Sequence, residues 1–152
     1  MAGGRAPRRS RLLVVLALAA VAGGAGAQQT VEATGPGVVR LTDHETSTSA
    51  FGSGIGGGRV ARYVLYGAHG PRPIGHAVLI CVNVGAHEQS CRANYVLPLG
   101  TIATEGLART RLLYTNAVAG GTGFYNDARG TLTVTARSIK PRNEILLFRL
   151  TG

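Results

Sequence analysis

The sequence predicts an all-β domain, and an antiparallel barrel of about eight strands is the first choice. Three observations lead there. Short apolar and β-branched runs recur at regular spacing between clusters of Gly, Pro, Asn and Asp. No segment beyond the first 27 residues holds a helical period. A meander of this many strands also removes its exposed edges only by closing on itself.

In chain order, the first strand is Val38 to His44, followed by a polar and then glycine-rich loop, Glu45 to Gly58. Within that loop Gly52-Ser53-Gly54-Ile55-Gly56-Gly57 satisfies G-x-G-x-x-G. A dinucleotide site would need a strand before it and a helix after it, and nothing that follows reads as a helix. The segment is therefore read as a flexible loop. Val60 to Tyr66 is the second strand, closed by turn residues from Gly67 to Pro73. Ile74 to Val84 and Cys91 to Leu97 are the third and fourth, joined by Gly85 to Ser90. Pro98-Leu99-Gly100 turns the chain into Thr101 to Leu107, and Leu112 to Val118 follows. After a glycine-rich bend, Arg129 to Ala136 and Glu144 to Thr151 complete the set, with a turn at Lys140-Pro141-Arg142-Asn143 between them.

The first 27 residues stand apart. Arg5, Arg8, Arg9 and Arg11 precede an apolar run from Leu12 to Ala22 that is too short to span a bilayer, and Ala25-Gly26-Ala27 supplies a small-residue cleavage site. This reads as a secretory signal peptide, so a secreted protein with no membrane attachment after cleavage is expected, and residues 28–152 form one domain. The signal carries four of the 16 basic residues and none of the 7 acidic ones, leaving 12 against 7, a net charge of +5. The remaining bases are scattered singly with little aromatic interleaving, which argues against a nucleic-acid partner.

Cys81 and Cys91 sit on adjacent strands of an exported chain, where one disulfide is the simplest reading. The spacing is not that of a metal site, and His44, His69, His76 and His87 show no ligand pattern either, so no metal is expected. Alternation then sorts the faces. A Cys81–Cys91 bridge places Ala77, Leu79 and Cys81 on one face with Cys91, Ala93, Tyr95 and Leu97, taken as the barrel interior. The opposite face of the third strand (Val78, Ile80, Val82) is also apolar, as are both faces of Ile145 to Leu150. With no helix to cover them, self-association as a homo-oligomer is expected.

The bend from Val118 to Gly130 carries the most specific motif. Gly120, Gly121 and Gly123 permit unusual backbone angles, and Phe124 to Ala128 has room for about one helical turn before Ala128-Arg129-Gly130 leads into the next strand. This Gly-Gly-Thr-Gly, aromatic (Tyr125), Ala-Arg-Gly layout resembles the signature of dirigent proteins and the wider allene oxide cyclase barrel superfamily. Leu97 to Leu107, the paired cysteines and the closing Leu-Phe-Arg-Leu at Leu147 to Leu150 are similar to bacterial secreted members, so the resemblance spans Val38 to Thr151. It implies an eight-stranded, calycin-type antiparallel barrel with a largely apolar central cavity, commonly a dimer or trimer. It also implies a cofactor-free cyclase, isomerase or dirigent activity: a small hydrophobic ligand is held in the geometry that fixes one product, with water excluded.

The same resemblance implies catalytic roles for Arg129, of the Ala-Arg-Gly motif, and for Asp43, late in the first strand. An arginine at a cavity rim can polarise a carbonyl, and a buried Asp with a raised pKa can exchange a proton. Strict alternation with Thr131, Thr133 and Thr135 would instead put Arg129 on the polar outer face. Tyr95, Glu105, Tyr114 and Tyr125 are the candidate ligand contacts, with Glu105 opposite in parity to Ile102. The rival reading is a non-enzymatic exported ligand-binding or structural barrel. An enzyme should show converging titratable residues at an open pocket, and a structural barrel only packed core.

Overall fold

A computed structural model describes residues 37–68, 70–109, 112–139 and 141–151. The signal-peptide reading of residues 1–27 falls outside the described residues. Eight strands follow one another around a closed antiparallel barrel: β1 (Gly37–Phe51), β2 (Gly58–Gly67), β3 (Pro73–Asn83), β4 (Gln89–Leu97), β5 (Gly100–Ala108), β6 (Leu113–Gly121), β7 (Arg129–Ile139) and β8 (Arg142–Thr151). Each strand pairs with its sequence neighbours, and β8 closes the wall by pairing antiparallel with β1.

The alternation read from the sequence sets the register. Cys81 lies directly opposite Cys91 in the β3–β4 ladder, with Cα atoms 4.1 Å apart, and the two form a disulfide. Ala77, Leu79, Cys81, Cys91, Ala93, Tyr95 and Leu97 are all buried, so the face assigned to the interior is the interior. The middle of the barrel is filled by Ile102, Leu132, Val134, Leu146 and Phe148, each fully buried. Phe148 meets the ring of Tyr95 edge to face at 5.1 Å, an arrangement that favours aromatic pairs.

Several strands run past their expected ends, β6 to Gly121 and β7 to Ile139 among them, and two differences bear most on the architecture. β1 does not end at His44. After a bulge between Glu45 and Ser47, Ser47 to Phe51 continue to pair with Arg62 to Gly58. This arm is exposed along its length and its residues are mostly Thr and Ser, so no apolar alternation marks it as strand. The connection shrinks to Gly52–Gly57, which is tied down rather than loose: Gly56 N donates to Asn83 O, Asn83 N to Gly57 O, and the Asn83 carboxamide to Gly54 O. The second difference is at β8, which begins at Arg142 inside the expected turn.

The bend between β6 and β7 is a short 3-10 turn, Gly123–Tyr125, stitched to β5 by Thr122 N to Thr101 O and to the preceding turn by Phe124 N to Leu99 O. Tyr125 is buried there, stacked edge to face on exposed Phe124, and belongs to the core at this end of the barrel. Gly130 has φ +131°, and a Cβ at that position would run into the carbonyl oxygen of Arg149 on the neighbouring strand.

Candidate functional site

The β1–β8 seam places charge inside the barrel. On β8 the inward residues repeat at every second position from Phe148 back through Leu146 and Glu144 to Arg142, and on β1 Leu41 and Asp43 face inward. Asp43 and Glu144 are direct ladder partners. Both are buried, at 4% and 2% exposure, as is Arg142 at 6%. Glu144 N donates to Asp43 Oδ1 at 2.9 Å, and Arg142 Nε donates to Glu144 Oε1 at 2.5 Å.

The proton balance follows from burial. Asp43 is desolvated and sits beside the Glu144 charge; the Glu144 N–H and Arg142 pull the other way but do not win, and its carboxyl is pushed up to about 8. Burial alone would weaken the Arg142 cation, but the Glu144 contact outweighs it and the guanidinium is held above its usual value. Tyr63, Tyr95 and Tyr114 project into the same region, and burial, reinforced by nearby Glu144, keeps all three as neutral phenols. A protonated acid, an ion-paired carboxylate and a ring of hydroxyl donors therefore share one interior band.

A cavity of about 630 Å3 opens this band at one barrel mouth. Its wall includes Arg59, Cys91, Tyr114 and Arg142, and its rim comes from Gly54 and Ile55 of the glycine loop and from Ala86, His87 and Glu88 of the β3–β4 connection. Asp43 and Glu144 contribute to the wall of a second depression of about 660 Å3, with Thr42, His44, Tyr66, Arg137 and Asn143. Arg142 thus faces the first cavity, with the carboxyl pair behind it. No group of His, Cys, Asp and Glu among the described residues is arranged to hold a metal ion.

The expected site residues separate. Asp43 is interior and Tyr114 lines the mouth, while Tyr95 lies deeper, packed on Phe148. Glu105 is on the outer wall, paired with exposed Arg92 at 3.4 Å, because Ile102 takes the inward parity. Tyr125 plugs the end opposite the cavity. Arg129 is exposed; its guanidinium donates to Ala128 O and lines no part of the mouth cavity. The placement of Arg129 at a cavity rim is therefore corrected. β7 keeps its alternation through Gly130, so Arg129 stays on the threonine side, and Arg142 and Arg59 are the arginines that reach the interior. Sequence reasoning missed Arg142, Glu144, Tyr63 and Arg59. The period-two signal from Phe148 back to Arg142 was present but hidden by the turn residues Pro141 and Asn143.

No protein-family model matches the sequence, and no curated protein is recognisably related to it. Solved structures do resemble the barrel. A pyocyanin demethylase superposes with a TM-score of 0.67 at 21% identity, over 76% of this chain and 100% of that one. A pterocarpan synthase dirigent protein gives 0.63 at 14% identity, over 83% and 96%. An exo-specific intermolecular Diels–Alderase gives 0.62 at 14% identity, over 78% and 100%. At such identities the likeness is one of fold: a barrel shared with the dirigent protein, as the resemblance of the bend motif implied.

Proposed function

We propose that this chain is a secreted barrel that binds a small apolar or aromatic molecule at the mouth cavity and guides its stereoselective cyclisation or coupling without a cofactor. The observation that carries this reading is the buried Asp43–Glu144–Arg142 cluster behind an open cavity of about 630 Å3. Burying two carboxyls and a guanidinium is expensive for a barrel that needs only packed core, whereas a site of convergent titratable groups uses them. Arg142 is the group placed to touch a ligand oxygen and stabilise developing negative charge. Glu144 and protonated Asp43 are positioning residues that fix the guanidinium and hold a proton close by. The fold neighbours include a dirigent protein and a Diels–Alderase, which supports a role in guiding a reactive ligand.

Native mass spectrometry of the secreted protein should reveal a co-purifying small molecule, lost in Arg142→Leu while the circular dichroism of the barrel persists. An unliganded wild type that also leaves extracted metabolites unchanged would leave only the structural-barrel reading. Self-association belongs to the same proposal. Val78, Ile80 and Val82, with Val60 and Val96 beside them, leave an apolar outer patch in which Ile80 is 46% exposed. Light scattering is expected to give a dimer or trimer at micromolar concentration, and a monomer there refutes it.

A further inference from the structure

We infer that the mouth cavity selects an organic monocarboxylate, docked on Arg59; this rests on the reading that the cavity holds a ligand. Its lining carries three arginines, Arg59, Arg109 and Arg142, against one carboxylate, Glu88. Arg109 Nε is 2.7 Å from Glu88 Oε1, and Arg142 Nε is 2.5 Å from Glu144 Oε1. Arg59 makes no ion pair among the described residues, and its Nε is buried without an acceptor. Its ladder neighbours, Ala50 and Cys81, offer no side-chain oxygen. Two positions further along the same face of β2, the Tyr63 hydroxyl is also buried without a partner.

Buried donors without acceptors are rare in folded proteins and call for an explanation. Here two of them project from one strand face, and Arg59 lines the cavity. The forked N–H donors of a guanidinium match the two oxygens of a carboxylate. One uncompensated positive charge fits a monoanion; a dianion would bring excess negative charge towards Glu88 and Glu144. The body of the acid would lie against Ile55, the disulfide at Cys91 and the ring of Tyr114. The volume is within the range of about 300–1,000 Å3 usual for small-molecule sites.

The test is calorimetric titration of the purified protein with 2-naphthoate and with 2-naphthamide, which is nearly identical in shape but neutral. Wild type should bind the acid at least tenfold more tightly, with the advantage shrinking as salt rises. Arg59→Gln should bring the two ligands to equal affinity, and Arg59→Lys should restore only part of the preference. Arg92→Gln, which removes an exposed outer-wall charge, should leave it intact. Equal affinities in wild type, or a preference that survives Arg59→Gln, overturns carboxylate selection while the cavity reading stands. Failure of both ligands to bind at millimolar concentration overturns both. The wild-type comparison decides even if Arg59→Gln does not fold.

Discussion

Replacing Asp43 by Asn should remove a large pH dependence from the stability of the barrel. In the unfolded chain Asp43 titrates near 3.8, whereas in the folded barrel burial, then Glu144, raises it to about 8. The folded state therefore binds a proton that the unfolded state has released across that window. Stability from this group is fully present below pH 3.8 and is lost as pH rises through about 8. At 1.36 kcal/mol per pH unit the interval corresponds to about 6 kcal/mol, a large part of the 5–15 kcal/mol that holds an ordinary domain together. Asn suits the site: its carbonyl can accept the Glu144 N–H that Asp43 Oδ1 accepts now, and its amide can donate where the acid proton sits. Urea unfolding at pH 5, 7 and 9, followed by the five tyrosines of a chain without tryptophan, reads the effect directly. Wild type should lose several kcal/mol between pH 5 and 9 relative to Asp43→Asn. Because every other titrating group is common to both proteins, the difference reports residue 43 together with its coupling to Glu144. Two pH profiles that run parallel would refute a protonated interior Asp43.

Three further outcomes are expected. Reducing Cys81–Cys91, which closes a ten-residue separation, should lower stability by about 2–3 kcal/mol, and peptide mapping without reductant should recover the linked pair. Gly130→Ala should destabilise by more than about 2 kcal/mol, because the new methyl meets the Arg149 carbonyl at a φ of +131°; an unchanged melting temperature would contradict the β7–β8 register. Arg129→Leu, on the exposed face, should change stability by less than about 0.5 kcal/mol and leave ligand binding unaltered; loss of binding would return Arg129 to the site.

The strands and their inner face were legible wherever one side is buried, because burial imposes a period of two. Cys81, Leu79 and Ala77 announce their face, and Tyr95 follows from Cys91. The extension of β1 to Phe51 was not legible, since both of its sides meet water and Thr-Ser-Thr-Ser carries no apolar signal. The site was half legible. Asp43 was expected at the site from the resemblance alone, but its partner Glu144 is brought to it by a pairing between strands about 100 positions apart, which local patterns do not encode. Arg129 shows the opposite error: a motif residue can be recognisable while its side chain turns away from the cavity.

The closure of the wall by β8 on β1 has a kinetic consequence. Every other pairing joins consecutive strands, and each can form as soon as its hairpin exists. The seam alone joins residues separated by 101 positions, as between Glu144 and Asp43. Closing a loop ten times longer than a hairpin of about ten residues costs roughly 2 kcal/mol more in chain entropy. The seam is thus the natural last step of folding, and until β8 arrives both β1 and β7 are unpaired edges able to capture strands of other molecules. The carboxyl pair enters its dry environment only at that step, so acid pH, which supplies the proton Asp43 must take up, should speed the final closure.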